Sequence, residues 1–381
     1  MDDYGSEVNG LPTHPRVVML VDLDYFYAQC EELRHPELRD KPVVVGMYSG
    51  RTSDSGAVAT SNYSARKNGV KSGLPLFLAI KRLEGKDAVF LPVDYDYYQG
   101  TSDRIMSVLR GYADVFEQVS IDEAYMDVTQ RVNGNFEEAA ILAQEMKSAV
   151  KQQVGVTCSV GIGPNKLVAK IASEQHKPDG ITIIKPEEAK PFLSPLPVDK
   201  LLGVGKKTAE KMEAIGIKNI EDLARYDIQK LVALFGRTLG LYFHNAANGI
   251  DNDPVQESRE AESISRIGTL KENTRDLNFI LQKTDQLIEE IHKELTQKNL
   301  SYKQVAIAAV MTNLTTKSRS LTLDKPAKDK ETIQRATHEL FERFLNEPDP
   351  LEIRRVGVKV GHFSKEERQQ KLLTSFFGGA P

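Results

Sequence analysis

Two short acidic runs, a hundred residues apart, follow apolar stretches and limit the possible folds of this chain more than any other feature. Asp22 follows the stretch 17–21, and Asp122 and Glu123 follow the stretch 115–119. Both stretches are β-prone. If the two strands pair, the three carboxylates meet at one sheet edge, where burial and repulsion are costly without a cation. Carboxylate oxygens suit Mg²⁺, and two such ions close together clamp an in-line displacement at phosphorus.

The simpler interpretation of these acidic residues is solvation at strand ends, where Asp and Glu are common. A single run would favour that interpretation. Two runs in one chain, each after an apolar strand, favour a metal site instead. Two further acids nearby, Asp24 and Asp127, are interpreted as structural residues or as supports of the metal ligands.

The size and composition of the chain indicate a multidomain globular protein. A length of 381 residues exceeds one ordinary hydrophobic core, so two to four domains are expected. No apolar run approaches the roughly 18 residues of a membrane span, so no membrane association is expected. Cys30 and Cys158 are the only cysteines and lack a C-x-x-C spacing, which argues against a disulfide framework or a zinc site and favours the cytoplasm.

Charge gives a mixed indication about nucleic acids. The formal net charge of −4 does not favour binding to DNA or RNA. The local field decides such binding in a multidomain chain, however, and residues 301–330 carry six basic side chains against two acidic ones. Residues 1–15 are acidic and lack an apolar core, so they predict a disordered leader rather than a signal peptide.

Strand and helix patterns divide the rest of the chain. Strands alternate with helices over 16–184, which indicates an α+β domain. A proline-rich boundary at 186–197 precedes an all-helical pattern over 198–249, and a polar linker follows at 249–258. Beyond residue 263 the pattern is β-α-β-β-α-β, which predicts a small sheet with two helices on one face.

Three motifs identify a family resemblance. They are VDLDYFYAQ at 21–29, SGAVATSNYSARK at 55–67 and SIDEAYMD at 120–127. In this order and spacing they resemble the Y-family DNA polymerases of the DinB or DNA polymerase IV branch, which copy past damaged template bases. The resemblance extends from about residue 16 to residue 362. It implies an α+β multidomain, right-hand-like polymerase.

The resemblance also implies domain bounds. These are a disordered leader (1–15), a palm (16–25 and 93–184), small fingers (26–92), an all-helical thumb with a helix-hairpin-helix (185–250), a linker (251–262), a β-α-β-β-α-β little finger (263–362) and a flexible tail (363–381).

Catalytic roles follow from the match to the family's motifs. Asp22, Asp122 and Glu123 match the catalytic, metal-binding carboxylates, and the carbonyl of Leu23 matches a further metal contact. Two Mg²⁺ ions per active site are implied, with Mn²⁺ as an alternative. Tyr27 matches the steric gate, the ring that excludes a ribose 2′-hydroxyl. Without the resemblance, the aromatic residues 25–27 would be interpreted as core residues at a strand-to-helix turn.

The resemblance places the nucleotide's phosphates among backbone amides and basic side chains. Amides at the start of the helix after the first strand are positioned to receive triphosphate oxygens. Arg66 lies three residues after Tyr63, on one helix face, and a guanidinium suits phosphate. Solvation is the ordinary role of such an exposed cation. The implied nucleotide-binding residues are Tyr25, Phe26, Tyr27, Thr60, Tyr63, Arg66 and Lys177.

Small residues at 56–58 lie where the family covers the nascent base pair. A roomy site discriminates weakly by shape, so low fidelity is expected. No segment remains for a proofreading exonuclease.

Two regions are expected to hold the DNA backbone. Gly203, Gly205 and Lys206 belong to a helix-hairpin-helix signature, whose amides face a phosphate without reading sequence. Basic residues on the little finger strands would follow phosphates along the major groove. Alternation sends neighbours to opposite faces, so the choice among them stays open. The candidates are Lys317, Arg319, Arg354, Arg355 and Lys359.

The C-terminal tail resembles a sliding-clamp-binding peptide of the archaeal and eukaryotic type. Gln370, Leu373, Phe376 and Phe377 have its spacing. A terminal helix docked on its own protein is the alternative, and the polar run 364–369 disfavours it. A clamp would compensate for weak DNA affinity by tethering.

The sequence therefore predicts a template-directed, translesion DNA polymerase. Its expected partners are primer–template DNA, dNTPs and a ring-shaped sliding clamp, and the protein is expected to be a monomer. A palm-type nucleotide cyclase would also present strand-end carboxylates to metals, but it would not need the helix-hairpin-helix, little finger or clamp peptide. A catalytically silent DNA-binding scaffold is the other alternative, and it would be expected to lack one of the three carboxylates.

Overall fold

The computed structural model describes residues 14–257 and 262–364. The predicted leader up to residue 13 and the clamp-binding residues Gln370, Leu373, Phe376 and Phe377 lie outside the described residues. Within the described ranges, no helix combines the length and hydropathy needed to cross a bilayer.

The secondary structure follows the predicted alternation. The strands are β1 (Val18–Leu23), β2 (Val43–Tyr48), β3 (Gly56–Ser61), β4 (Val89–Pro92), β5 (Val115–Gln118), β6 (Glu123–Asp127), β7 (Cys158–Gly163), β8 (Ile181–Ile183), β9 (Ser263–Thr274), β10 (Tyr302–Met311), β11 (Thr316–Ala327) and β12 (Ile353–Gly361). The α-helices are α1 (Phe26–Arg34), α2 (Tyr63–Arg66), α3 (Leu76–Arg82), α4 (Tyr95–Arg110), α5 (Phe136–Gln153), α6 (Lys166–Ser173), α7 (Ala189–Leu193), α8 (Lys206–Glu213), α9 (Ile220–Arg225), α10 (Ile228–Phe235), α11 (Arg237–Ala247), α12 (Leu277–Gln297) and α13 (Lys330–Asn346).

The described residues form two compact units. The first contains 14–47, 57–74 and 78–257, and the second contains 48–56, 75–77 and 262–364. The predicted palm, fingers and thumb thus fall largely in the first unit, and the predicted little finger falls in the second. The individual domain bounds stay predictions.

A five-stranded sheet with the order β5-β6-β1-β7-β8 forms the centre of the first unit. All six residues of β1 are buried, because both faces of this strand are covered. β1 pairs with β6 on one side and β7 on the other, both in antiparallel register, and not with the apolar stretch 115–119. The prediction that the second acidic run ends its strand was therefore wrong. Asp122 lies in the β5–β6 hairpin turn, and Glu123 begins β6.

The helix α6 belongs to two layers of the first unit. It packs on β7 and β1, and four of its side chains join the hydrophobic core of the predicted thumb. Those side chains, Leu167, Val168, Ile171 and Ala172, cluster with thumb residues such as Val198 and Leu201. The helical part itself has the predicted turns, since Gly203, Gly216 and Gly236 all have positive φ values near 80° (82°, 88° and 81°).

The second unit is a four-stranded antiparallel sheet with the order β11-β10-β12-β9. The helices α12 and α13 contact these strands, and apolar side chains such as Ile307 and Val358 fill the core. This is the predicted β-α-β-β-α-β arrangement. The sequence pattern did not locate β11, because the first five residues of this edge strand, 316–320, are Thr, Lys, Ser and Arg rather than apolar residues.

Candidate active site

A cleft of about 310 Å³ in the first unit gathers the predicted metal- and nucleotide-binding residues. The end of β1, the start of α1, β3 with α2, the turn before β6 and the segment after α6 all contribute to it. Every residue predicted to bind a metal ion or the nucleotide lines this one cavity. The lining consists of Asp22, Leu23, Tyr25, Phe26, Tyr27, Ala59, Thr60, Tyr63, Arg66, Ser72, Ile121, Asp122, Glu123, Glu174 and Lys177.

Sheet register brings the acidic runs together. Asp22 and Glu123 are direct partners across β1 and β6, and Asp22 is only 5% exposed. The amide of Leu23 donates to the carbonyl oxygen of Asp122 at 2.9 Å, which joins the two backbones. The Asp122 carboxylate accepts a hydrogen bond from Ser120 Oγ at 2.6 Å.

Two lysines neutralise the carboxylates. Lys170 Nζ lies 3.1 Å from Asp22 Oδ2 and 2.7 Å from Glu123 Oε1, so one ammonium bridges both strands. Lys177 Nζ lies 2.6 Å from the other oxygen of Asp22 and 2.7 Å from Glu174 Oε1. Asp22 therefore has an ammonium partner on each of its oxygens.

The two carboxylates that Lys170 bridges have pKa values shifted in opposite directions. Burial disfavours the charged form of Asp22, but the ammonium groups of Lys177 and Lys170 outweigh burial and hold the pKa of Asp22 below its ordinary value. Burial raises the pKa of Glu123, and the charge of Asp22 adds to this, despite the hydrogen bond from Lys170. Asp22 is therefore the anion that persists at lower pH.

The predicted gate residue is held by a buried aromatic neighbour. The ring of Tyr27 stacks on that of Tyr98 with centroids 4.4 Å apart and an interplanar angle of 14°. Tyr98 is fully buried, and its hydroxyl donates to Glu31 Oε1 at 2.6 Å. Tyr95 packs edge-on against the Tyr27 ring. These contacts fix the Tyr27 ring at the cleft wall.

The phosphate side of the cleft combines a helix start with aromatic and basic side chains. Tyr25 precedes α1 in the left-handed backbone region, with φ 36°, and its side chain caps no amide of the first turn. The Tyr63 ring packs edge-on against Tyr25 at 5.3 Å. The guanidinium of Arg66 lies over the Tyr63 ring at 4.9 Å, and its Nε donates to the Ser61 carbonyl. The predicted residues Thr60 and Phe26 line the same wall.

Family models match most of the chain. The impB/mucB/samB family matches residues 21–174, and the C-terminal domain of that family matches residues 261–373. A model described as the DNA polymerase-iota thumb domain matches residues 199–251. The chain is 44% identical to DNA polymerase IV of Nitrosopumilus maritimus, covering 95% of this chain and 99% of that protein. It is also 40% identical to DNA polymerase IV of Saccharolobus solfataricus, covering 91% and 96%.

Solved structures agree with this match. A Y-family DNA polymerase chimera of Dbh and Dpo4 superposes with a TM-score of 0.86 at 35% identity, covering 92% of this chain and 99% of the chimera. The crystal structure of DinB from Sulfolobus solfataricus gives 0.62 at 34% identity, covering 91% and 98%. The chain belongs to the Y family of DNA polymerases. It is therefore a DNA-directed DNA polymerase of the translesion type, and neither the cyclase nor the scaffold alternative has support.

The donor set of this polymerase fits a hard divalent cation. Asp22, Asp122, Glu123 and the carbonyl of Leu23 offer only oxygen atoms, which suit Mg²⁺. Within the described ranges, however, no group of three or more Asp, Glu, His or Cys side chains is arranged around a common ion position. Instead, Asp22 and Glu123 both accept hydrogen bonds from Lys170 Nζ, and Asp122 accepts one from Ser120 Oγ. Ion binding would require Lys170 to leave this bridge.

Asp24 has a structural role in the polymerase, as expected for an acid that is 1% exposed. Its carboxylate accepts hydrogen bonds from Thr157 Oγ1 at 2.8 Å, Ser159 Oγ at 2.7 Å and the amide of Asp179 at 2.9 Å. The last bond ties the segment that carries Lys177 to the end of β1. The other supporting acid, Asp127, accepts from the amide of Thr129.

Strand register divides the basic residues of the second unit between two faces. Lys317 and Arg319 are opposite Ala309 and Ile307, whose side chains are buried on the helix side. Both are already paired, Lys317 with Asp349 and Arg319 with Glu347. A DNA contact by either residue would have to compete with a carboxylate.

The opposite face of the same sheet carries Lys359 and Arg355. Lys359 is opposite Ala306 and Ser265, and Arg355 lies on the same face because it is four residues before Lys359 along β12. The third candidate on this strand, Arg354, lies at an irregularity of the β12–β9 ladder. A cavity of about 480 Å³ on this face has several small residues in its lining, including Ala306, Ala308, Ser318, Ser320 and Gly357.

The thumb candidates lie in a turn before α8. Gly203 has φ 82°, which a residue with Cβ rarely adopts, and Gly205 precedes Lys206 without a side-chain cap. The hydroxyl of Tyr242 donates to the Leu202 carbonyl at 2.9 Å and fixes the turn.

Several residues of the cleft were not predicted. Lys170 is the most important, and Ser72, Ala59 and Glu174 also line or border the site. A signal was present for Lys170, because it and Glu174 are four residues apart on α6 and its continuation, with Lys177 three residues further on. Such spacing on an amphipathic helix is nevertheless typical of solvated surfaces as well.

Proposed function

We propose that this polymerase extends a primer by nucleotidyl transfer in the cleft described above, with Asp22, Asp122 and Glu123 as its catalytic carboxylates. The observation that carries the proposal is the register pair of Asp22 and Glu123 in a cavity that also holds Arg66 and Lys177. Carboxylates for metal ions beside basic side chains for phosphate oxygens suit a triphosphate whose α-phosphorus is attacked.

The carboxylates and the Leu23 carbonyl would hold two Mg²⁺ ions, with Mn²⁺ as an alternative. Ions bound there supply charge neutralisation and lower the pKa of the primer 3′-hydroxyl. The primer 3′-oxygen attacks the α-phosphorus, and pyrophosphate leaves. The chain's own contribution is to orient these groups, since phosphoryl transfer depends mainly on positioning and charge stabilisation.

Arg66, Lys177 and Tyr63 would bind the triphosphate, together with Thr60 and the amides at the start of α1. The α1 amides lack a side-chain cap, which supports an anion-binding role. The ring of Tyr27 would lie under the incoming sugar and exclude a 2′-hydroxyl. Its stacking on the buried Tyr98 supports this role, because the ring must stay in place when a ribose 2′-hydroxyl approaches it.

Low fidelity is proposed from the small side chains along β3. Ala59 lines the cleft, whereas Val58 of the predicted segment 56–58 is buried. Small side chains on this wall leave room for distorted base pairs, so the site discriminates only weakly by shape.

DNA and nucleotide are the proposed substrates. One solved structure similar to this chain is an insertion ternary complex of Dbh DNA polymerase, with a TM-score of 0.66 at 35% identity. The proposed protein contacts to DNA are Gly203, Gly205 and Lys206 of the thumb and Arg355 and Lys359 of the little finger. A sliding clamp bound through the tail, a monomeric state and a cytoplasmic location complete the proposal.

Primer extension opposite a single abasic site tests this function. The wild type is compared with Asp122→Ala plus Glu123→Ala, on damaged and undamaged templates, with Mg²⁺ and all four dNTPs. We expect extension past the lesion by the wild type and none by the variant, while the variant still binds DNA. Extension retained by the variant would reject the carboxylate assignment. No wild-type extension on undamaged template would reject the proposed activity.

A further inference from the structure

A buried carboxylate connects the two segments that form the phosphate side of the cleft. Glu32, near the end of α1, is 8% exposed. Its Oε2 accepts a hydrogen bond from the Tyr25 hydroxyl at 3.2 Å, and its Oε1 accepts one from Asn62 Nδ2 at 2.8 Å. Tyr25 precedes α1, and Asn62 caps α2. Both oxygens of one side chain therefore join the two helix starts.

Asn62 has no spare hydrogen-bonding capacity for another partner. It is 2% exposed, and its Oδ1 accepts from the amides of Ala65 and Val43, both at 3.0 Å. Its Nδ2 donates to Glu32 and to the carbonyl of Lys41, both at 2.8 Å. A side-chain amide offers two donors and one oxygen with two lone pairs, so this set is complete. Loss of Glu32 would leave a buried N–H without its acceptor.

Tyr25 transmits the same constraint to α1. A positive φ is uncommon for a residue other than glycine, and it is maintained only when neighbouring contacts hold it. The Tyr25 hydroxyl reaches Glu32 two helical turns along α1, and its ring packs against Tyr63 of α2. Glu32 thus holds both sides of the Tyr25–Tyr63 contact.

We propose that Glu32 is a positioning residue for the nucleotide's triphosphate. It sets the spacing between the first turn of α1 and the α2 face that carries Tyr63 and Arg66. Glu32 does not line the cleft, so it acts through Tyr25 and Asn62 rather than by touching the substrate. The proposal deepens the function proposed above and rests on it, because it concerns the same phosphate site.

Single-nucleotide insertion kinetics with the full chain test the role. In Glu32→Ala both hydrogen bonds are lost, and we expect the KM for the correct dNTP to rise about tenfold, with kcat within about twofold of wild type. In Glu32→Gln the carbonyl still accepts from Asn62, and the amide can donate to the Tyr25 oxygen. We therefore expect Gln to restore most of the wild-type KM. Affinity for primer–template DNA should not change.

Thr129→Val is the matched control. Thr129 is equally buried, at 8% exposure, and its hydroxyl accepts a hydrogen bond from the amide of Val17 at 2.9 Å, at the end of β1 opposite the cleft. We expect its loss to reduce stability without raising the KM for the dNTP. An equal rise in Thr129→Val, a parallel loss of kcat and DNA affinity in Glu32→Ala, or no rescue by Gln would overturn the proposal.

Tyr25→Phe provides a second test if Glu32→Ala does not fold. It removes only the hydroxyl that reaches Glu32, and we expect a rise in KM of about threefold. A wild-type KM in Tyr25→Phe would overturn the proposal on its own. Failure of the proposed function looks different, because the wild type would then not extend a primer at all, and that result would overturn both.

Discussion

Lys170 donates from one ammonium group to Glu123 at 2.7 Å, across the strand pair that also presents Asp22. This lysine lies where carboxylates from β1 and β6 would otherwise repel each other. It therefore resolves the electrostatic conflict that the two acidic runs create. The same contact means that a metal ion must compete with an internal cation for these oxygens.

Removing this internal competitor should strengthen metal binding. In Lys170→Met, we expect Mn²⁺ to bind the DNA-free protein about tenfold more tightly, because charge-assisted hydrogen bonds are no longer broken on binding. Electron paramagnetic resonance titration of free Mn²⁺ measures this directly. Lys166→Met is the control. Lys166 lies one helical turn before Lys170 on α6, but it pairs with Glu117 rather than with the predicted metal ligands. Weaker binding in Lys170→Met would show that the lysine organises the carboxylates instead.

Sugar selection should depend on the ring of Tyr27. In Tyr27→Ala, we expect the preference for dNTPs over ribonucleotides to fall on the order of 100-fold, because the stacked ring no longer occupies the ribose side of the cleft. Competing dCTP and CTP in single-insertion reactions gives the ratio. Tyr27→Phe keeps the ring on Tyr98 and should retain the preference. Unchanged discrimination in the alanine variant would reject the gate.

The salt dependence of DNA binding should distinguish the two sheet faces of the second unit. Lys359→Ala should reduce the slope of log K against log salt by about 0.9, the value for one lost phosphate contact. Fluorescence anisotropy with a labelled primer–template at several salt concentrations measures the slope. Lys317→Ala should leave the slope unchanged, because Asp349 already neutralises this lysine. Equal effects would mean that strand register does not determine the DNA face.

The buried carboxylate of Asp24 should be important for stability. In Asp24→Ala the hydroxyls of Thr157 and Ser159 and the amide of Asp179 lose their acceptor, and we expect the free energy of unfolding to fall by about 3 kcal/mol. Urea denaturation followed by circular dichroism measures this change. Asp87→Ala removes an acid of an exposed pair with Lys41 and should change little. A similarly small effect at Asp24 would contradict the structural role assigned to it.

Clamp-dependent synthesis should require the tail. Phe376→Ala plus Phe377→Ala should remove the stimulation of synthesis by a sliding clamp and leave basal synthesis unchanged, because in the proposed interaction this aromatic pair would fill an apolar clamp pocket. Primer extension with and without clamp, on a primer–template whose ends are blocked, gives both rates. Equal loss of the two rates would indicate a structural tail.

The sequence predicted the elements that carry the site, and short-range patterns explain why. The apolar run before Asp22 and the helix after it are local signals, and β1 and α1 follow them closely. The spacing of Tyr63 and Arg66 likewise fixed their common face. The partner of β1 was predicted incorrectly, because the turn at 119–122 contains no glycine or proline to mark where β5 ends and β6 begins.

Long-range electrostatics could not be predicted from such patterns. Lys170 and Glu123 are 47 residues apart in sequence, and only the sheet order places α6 against β1. The faces of Lys317 and Lys359 depended in the same way on the register of β11 and β12. Edge strands rich in polar residues give little hydrophobic periodicity, so that register was not visible.

The position of α6 has a consequence for recombination between related polymerases. The helix packs on the sheet, while its side chains Leu167, Val168, Ile171 and Ala172 belong to the helical core that continues beyond residue 186. A crossover placed in the proline-rich segment would divide one hydrophobic core between two parental sequences, with mismatched packing as the result. A crossover after residue 257 would inherit that core intact from a single parent.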